Sequence, residues 1–289
     1  MTFNPRLLYA GIALFTTIGP FSGLAHAAPK QTGFNFVAYG DTRSNARDHA
    51  AIIREILRLK PEFVLQSGDL VANGRNAAQW AQFAQIEKPL DTAHIAYYPA
   101  RGNHDDGKLY YKWVREPFDS GNKDYYAFTR HNNRFIIVNE SGDDSIRGRF
   151  DDASPQYKWL KFELQKAHQR HMNTFVMFHE GPYSVGPHGP NLDVQKWLVP
   201  LFTAYKVSMV INGHDHLYYR TKRDGVVYVI TGGGGAELYQ PVRAYLAQPG
   251  DFYVSKHHVI LLHVDGPKIT GTVYTPDNKV IDRFTINNR

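Results

Sequence analysis

The chain is predicted to fold as an α/β protein in which two β-sheets pack face to face with helices outside. Three observations lead there. The first part alternates short apolar runs with amphipathic stretches, β-α-β-α-β from Phe34 to Pro99, as parallel strands joined by crossover helices require. Beyond His216 the pattern turns to short strands separated by turns. The 289 residues are 43% hydrophobic and 13% aromatic, which supports one substantial core and argues against disorder.

Taken in order, Phe34–Tyr39 (FNFVAY) reads as the first strand. Ser44 or Asn45 can cap a helix to about Leu59 that places Ile52, Ile53, Ile56 and Leu57 on one face, with Pro61 ending it. Phe63–Gln66 is the second strand, Asn76 to Glu87 a helix burying Trp80, Phe83 and Ile86, and Ile95–Pro99 the third strand. Tyr125–Phe128 and Phe135–Val138 flank the polar turn His131-Asn132-Asn133, a hairpin pattern. Ser154-Pro155 starts a helix to about His168 that buries Leu160 and Leu164, because a cap residue is followed by proline at the first helical position. Thr174–Phe178 is a strand. The Gly/Pro-rich stretch from Gly181 to Pro190 suits the rim of a site. Pro200 interrupts a helix from about Asp193 to Tyr205, and Lys206 to Ile211 reads as a short buried strand. The strands Val226–Ile230, Val259–Val264, Ile269–Tyr274 and Val280–Ile286 complete the chain. Gly232 to Gly235 admits close backbone approach, and Pro276-Asp277-Asn278 is a turn. No internal repeat or linker is visible, so residues 34–289 are expected to form one domain.

Five of these strands end in a residue that favours metal ions. Asp41 follows the first strand, Asp69 the second, Asn103-His104 the third and His179 the strand at Thr174–Phe178; Gly213-His214-Asp215-His216 follows Val210-Ile211-Asn212. In open α/β sheets, sites form beyond the carboxyl ends of strands. Oxygen and imidazole donors without thiolates suit Mn, Fe, Zn or Mg. Singly, each of these residues is as readily a turn, a cap or a packed histidine; it is their joint order that points to metal binding.

Composition narrows the alternatives. The chain has no cysteine, which excludes disulfides, thiolate zinc sites and cysteine nucleophiles. Its formal net charge of +6 favours anionic substrates, yet the basic residues are scattered, with no run longer than Thr221-Lys222-Arg223, so no dedicated nucleic-acid surface is expected. At the start, Arg6, the apolar run Leu7 to Ile18, Gly19-Pro20 and the small-x-small Ala25-His26-Ala27 form an export-signal pattern over residues 1–27, predicting a periplasmic or secreted protein; an uncleaved anchor is the alternative. No later segment is long and apolar enough to span a membrane.

Together, Gly40-Asp41-Thr42-Arg43, Gly68-Asp69, Gly102-Asn103-His104-Asp105, Phe178-His179 and Gly213-His214-Asp215-His216 resemble, in order and spacing, the five blocks of the calcineurin-like metallophosphoesterases, and the nearest flavour is their secreted, purple-acid-phosphatase-like branch. Tyr125–Phe128, Pro155 to Leu160 and Thr231 to Gly235 agree, and the resemblance covers roughly Phe34 to Ile286. It implies a four-layer α/β/β/α sandwich of two mixed sheets and a phosphoester hydrolase with two divalent or trivalent ions (Mn, Fe, Zn or Mg). One ion would be held by Asp41, Asp69 and His216, the other by Asp69, Asn103, His179 and His214, and a metal-bound hydroxide would attack phosphorus. His104 is expected to act as general acid and Asp105 to orient it; Arg43, Asn103 and His188 are expected to contact a small-molecule or nucleotide phosphoester.

The pattern departs from the family at two places. The common first block is Asp-x-His, and its histidine is a ligand; here that position is Arg43, which cannot ligate. Arg43 either contacts the substrate phosphate, which its planar fork matches, or pairs with a nearby carboxylate such as Asp41. In the purple enzymes a tyrosine three residues after the second-block aspartate replaces that histidine, but here the residue is Ala72. An iron-loaded protein should therefore lack the violet colour of a tyrosinate complex. Glu180, after His179, stands where relatives often carry a second histidine. Three readings remain: a monoesterase, a diesterase, and a degenerate binding module with one metal or none.

Overall fold

The computed structural model describes residues 33–113, 120–121, 124–140, 150 and 153–288. The export-signal pattern of residues 1–27 and most of the Ser141–Asp152 stretch lie outside the described residues.

The first strand β1 (Phe34–Tyr39) leads through α1 (Ala46–Leu59) to β2 (Phe63–Gln66), and α2 (Ala77–Thr92) leads to β3 (Ala96–Pro99). Asn45 caps α1 by accepting from the Asp48 N–H, and Asn76 caps α2 through the Ala78 and Gln79 N–H groups. The second helix continues past Glu87 and through Pro89. Gln85 and Pro89 are exposed, so water can satisfy the carbonyl that the proline leaves without a donor. Next come β4 (Ser120–Gly121), then β5 (Tyr126–Arg130) and β6 (Asn133–Ile137), a hairpin whose loop residues His131 and Asn132 both have positive φ, the backbone that two-residue hairpins prefer. Helix α3 (Pro155–Gln169) starts at the Ser154 cap and leads to β7 (Asn173–Met177). Pro200 splits the next helix into α4 (Leu192–Trp197) and α5 (Val199–Ala204). The rest is β8 (Met209–Asn212), β9 (Tyr218–Arg223), β10 (Val226–Thr231), β11 (Phe252–Val254), β12 (Val259–Asp265), β13 (Lys268–Tyr274) and β14 (Val280–Asn287).

Two mixed sheets result, with orders β14-β13-β12-β1-β2-β3 and β11-β9-β10-β8-β7-β6-β5-β4. In the first, β1, β2 and β3 run parallel; in the second, β6, β7, β8 and β10 do. The period of two along the second sheet explains the layering. Phe135, Ile137, Phe175, Met177, Met209 and Ile211 point into the core shared with the first sheet, while Ile136, Val176 and Val210 point into the core shared with α3, α4 and α5. Between the sheets, Phe36 meets Phe135 and Phe175 edge-on at 5.2 and 5.1 Å, and Phe63 meets Phe135 at 5.2 Å. Helices α1 and α2 cover the first sheet through Ile52, Ile53, Ile56, Trp80 and Phe83. The architecture is the predicted four-layer α/β/β/α sandwich.

Three of the described strands, β4, β9 and β11, escaped the sequence reading. Tyr218–Arg223 carries Arg220, Lys222 and Arg223, which hide its alternation; Arg220 is neutralised by Asp282 and Arg223 by Asp251, both remote in sequence. The short β11 then pairs with β9 along its edge. Among the described residues no helix is long and apolar enough to cross a membrane.

Candidate metal centre

The parallel strands of both sheets deliver their carboxyl ends to one place. Asp41 lies just beyond β1, Asp69 beyond β2, Asn103 and His104 beyond β3, His179 beyond β7, and His214 and His216 beyond β8. The loops are laced together by backbone hydrogen bonds: Asp41 N to Gly68 O at 3.0 Å, Thr42 N to Asp69 O at 3.1 Å, and Gly213 N to His179 O at 2.9 Å. Asp41, Asp69 and His214 adopt φ of 59°, 56° and 71°, a left-handed backbone that ordinary residues avoid. Each such residue costs about 1 to 3 kcal/mol and persists where its surroundings hold it, commonly at functional sites. Two glycines allow the crowding. A Cβ on Gly102 would lie 2.2 Å from Asp69 Oδ1, and one on Gly213 would lie 2.3 Å from Asp41 Oδ2.

Backbone carbonyls set the imidazoles. His179 Nδ1 donates to Ser67 O at 2.9 Å and His216 Nδ1 to Glu237 O at 2.6 Å, so both turn Nε2 inward. His179 Nε2 lies 3.4 Å from Asp69 Oδ1, 3.2 Å from Asn103 Oδ1, 4.0 Å from Asp41 Oδ1 and 3.3 Å from His214 Nδ1. His216 Nε2 lies 3.5 Å from Asp41 Oδ1. The six predicted ligands are thus brought together around one centre.

The electrostatics agree with a site built to receive positive charge. Burial raises Asp41 well above the usual carboxylate range, and His179 only partly opposes it. Burial also works against ionised Asp69, but His179 and His104 hold that carboxylate low. His179 itself is raised, because Asp69 and Asp41 outweigh its burial. Burial, aided by His179 and His188, pushes His214 down to about 3. Burial and Arg43 push His216 down to about 4, against its bond to the Glu237 carbonyl. Both imidazoles of the His-x-His pair are therefore neutral, the form that ligates a metal. Ser67 Oγ is buried beside the centre with no hydrogen-bond partner. Converging imidazole nitrogens, buried carboxylates and an orphaned hydroxyl fit a cation, and Asp41, Asp69 and His179, once its imidazole gives up its proton, could hold one.

Around this set the predicted residues take distinct places. His104 is about one-third exposed; its Nδ1 donates to Ala72 O at 2.8 Å and its Nε2 lies 4.0 Å from Asp69 Oδ2. The expectation that Asp105 orients His104 is corrected. Asp105 is fully buried and accepts from Leu70 N at 2.8 Å, Val71 N at 3.2 Å and Gly102 N at 2.9 Å, so it staples the β2 and β3 loops, and the Ala72 carbonyl holds His104 instead. Burial, with Asp69 nearby, raises Asp105 to about 7. Arg43 pairs not with Asp41 but with Asp69: its Nε donates to Asp69 Oδ2 at 3.1 Å, and its Nη2 lies 3.5 Å from both His216 Nε2 and the Tyr239 hydroxyl. His188 stands at the rim, with Nδ1 on Asp215 Oδ1 at 3.0 Å and its ring 4.1 Å from that of His214. Glu180 accepts from Asn191 Nδ2 at 3.0 Å, and its N–H donates to Glu140.

Some participants were not read from the sequence. Tyr239 stacks on His216 at 4.1 Å and touches Arg43, yet it follows a glycine run with no periodic signal. His49 is buried on α1, bonded to Glu87 at 2.7 Å, with Tyr39 donating to the same carboxylate at 2.9 Å. A signal did exist there, since His49 lies three and four residues before Ile52 and Ile53 on the buried face. A cavity of about 160 Å³ lies beside Arg43, lined among others by Thr42, Ala72, Gln79 and Phe83.

Residues 34–218 match the family model for calcineurin-like phosphoesterases. The chain is 27% identical over 249 residues to tartrate-resistant acid phosphatase type 5 of Rattus norvegicus, covering 73% of this chain and 75% of that protein. To the Sus scrofa protein of the same name it is 22% identical over 281 residues, covering 88% and 78%. Among solved structures, a purple acid phosphatase from seeds of yellow lupin (Lupinus luteus) superimposes with a TM-score of 0.72 at 20% identity; the match covers 90% of this chain but 55% of that one, and shows the shared fold. With more than half of its length in the family model, this chain belongs to the calcineurin-like phosphoesterase family and is a phosphoric ester hydrolase.

Proposed function

We propose that the chain is an exported, metal-dependent phosphatase that cleaves small-molecule or nucleotide phosphate esters, with His104 as general acid. One observation carries the reading: His179 Nε2 and His216 Nε2 lie 3.2 to 4.0 Å from side-chain oxygens of Asp41, Asp69 and Asn103, and His214 Nδ1 lies 3.3 Å from His179 Nε2. Asp69, Asn103, His179 and His214 would hold a divalent or trivalent ion, with Asp41 and His216 beside it. Such an ion supplies Lewis-acid charge for the phosphoryl oxygens and acidifies water.

The protein's own groups do the rest. Asn103 offers a neutral amide oxygen, which limits negative charge where a phosphate must approach. His188 is held by the buried Asp215 and is exposed enough to donate to a phosphoryl oxygen. Arg43 presents a permanent cation next to the same position. His104, with Nδ1–H fixed on the Ala72 carbonyl, would in its imidazolium form carry a second proton on Nε2, give it to the leaving alkoxide and be left as the neutral imidazole. Asp105 keeps the Asp69 and His104 loops in register and is a positioning residue.

The test is a phosphoester panel on chelated protein with metals added back, comparing p-nitrophenyl phosphate with its bis ester. Metal-restored hydrolysis of the monoester above the diester is expected. Absence of turnover with every metal and ester would sink the enzyme reading and favour the binding module, whose support is the hold of Arg43 on Asp69. Export rests on the leader pattern, and N-terminal sequencing of the mature protein should begin at Ala28.

A further inference from the structure

We infer that the Arg43 guanidinium replaces one of the two metal ions, so that the centre takes a single divalent ion on its Asn103–His179–His214 side. This rests on the metal-dependent reading above but concerns how many ions that reading requires.

The two halves of the centre differ in what they offer an ion. On one side, Asp69 Oδ1, Asn103 Oδ1 and His214 Nδ1 all lie 3.2 to 3.4 Å from His179 Nε2. Donors bound at 2.0 to 2.3 Å to one ion sit about 3 to 3.5 Å apart, so this side is already gathered for a cation, and its one titratable cation, His179, can release its proton to an incoming ion as arginine cannot. On the other side, the guanidinium stands among the groups that would hold a second ion. Its Nε is bonded to Asp69 Oδ2 at 3.1 Å and its Nη2 is 3.5 Å from His216 Nε2. Arg43 is not a loose surface arginine. Its side chain is 18% exposed, and Tyr239, stacked on His216 with rings 16° from parallel, backs its Nη2.

Arginine cannot surrender its charge by deprotonation. A divalent ion placed between Asp41, Asp69 and His216 would have to displace the guanidinium or sit against it in a buried site, where like charges are poorly screened. The guanidinium satisfies Asp69 as a cation would, and it does so without dissociating at low metal concentration. The position where a tyrosine would strengthen that side is Ala72.

The experiment uses the full chain, stripped with a chelator and titrated with Mn(II), with bound metal counted after buffer exchange and read by electron paramagnetic resonance. One equivalent with the six-line spectrum of an isolated ion is expected for the wild type. Arg43→His, which supplies an imidazole donor, should take up a second equivalent and show the multiline spectrum of a coupled pair. Arg43→Gln, which removes charge and adds no imidazole, should bind a second ion at least tenfold more tightly than the wild type does; it serves if the histidine variant does not fold. Two equivalents in the wild type, or one equivalent in all three proteins, would overturn the inference. Turnover of p-nitrophenyl phosphate in the same samples separates the two readings. Two equivalents with turnover removes the inference and keeps the hydrolase, whereas one equivalent without turnover does the reverse.

Discussion

The metal centre and the Arg134–Glu163 pair are both buried clusters of charge, and they are built on opposite principles. Arg134 on β6 and Glu163 on α3 are 2% and 1% exposed. Arg134 gives both Nε and Nη2 to Glu163 Oε2, at 3.0 and 2.6 Å, and its Nη1 to Thr129 Oγ1 at 2.9 Å. Both charges are held by hydrogen bonds to protein groups, on ordinary backbone. At the metal centre, carboxylates and imidazoles face one another from left-handed backbone, and one of them is pushed toward protonation. The first cluster pairs its charges within the protein; the second gathers donors that a cation could use. Damage to the pair should therefore remove stability and spare chemistry, and damage to the centre should do the reverse.

The sharpest way to break this contrast is Arg134→Met. It removes the guanidinium that pairs with buried Glu163 and is expected to destabilise by about 3 to 5 kcal/mol. Thermal and denaturant melts would measure this, while kcat of the protein that remains folded should be unchanged. Adding Glu163→Leu should recover most of the loss, because a well-packed apolar pair can replace a buried ion pair; failure of that rescue would mean the pair does more than satisfy itself.

At the centre, His104→Gln is expected to lower kcat by about 10²- to 10⁴-fold on alkyl phosphates. It should act far less on p-nitrophenyl phosphate, whose leaving group needs little protonation, with no shift in melting temperature. Equal losses on both substrates would point away from proton donation.

Asp41→Asn sharpens the contrast further. Asparagine tolerates positive φ and keeps an acceptor for the His214 N–H, which Asp41 now receives at 3.1 Å. Activity and metal affinity should fall by about 10²-fold. The chelated variant should be as stable as the wild type or more so, by about 0.5 to 2 kcal/mol. The sign follows from the folded carboxyl titrating above its unfolded value. The unfolded chain then ionises first, and the metal-free wild type loses stability as pH rises from about 4 through the raised pKa. The variant's advantage should grow over that range in melts at successive pH values.

The smallest effect is expected at Asp251, another self-satisfied group. Against a burial penalty, the Arg223 guanidinium, the Gln248 N–H and the Thr221 and Tyr219 hydroxyls hold it down to about 2. A depressed pKa contributes stability above the unfolded value that is lost as pH falls between about 4 and 2. Asp251→Asn should flatten that acid limb by about 1 kcal/mol and leave turnover at neutral pH untouched.

Much of the molecule was legible in the residues themselves. The caps Asn45, Asn76 and Ser154 announce their helices because capping is a contact between neighbours in sequence. The apolar runs at Phe63–Gln66 and Met209–Asn212 announce strands buried on both faces. Each candidate ligand sits one to five residues past such a run, so the strand-end rule found it. What stayed hidden was settled by partners far away along the chain. Arg220 and Arg223 hide the alternation of their strand until Asp282 and Asp251 meet them, and the helix read as ending at Glu87 runs on through Pro89 to Thr92.

By itself, then, the sequence determined most of the elements, their order and a set of candidate metal ligands, because propensity, capping and periodicity act over a few residues. Only the tertiary structure decided that Asp105 staples loops while Ala72 holds His104, that Asp215 and not a nearer group steers His188, and that Arg43 lies on Asp69. Those assignments depend on which loop tips meet when two sheets close face to face, and that meeting is fixed by packing across the whole core.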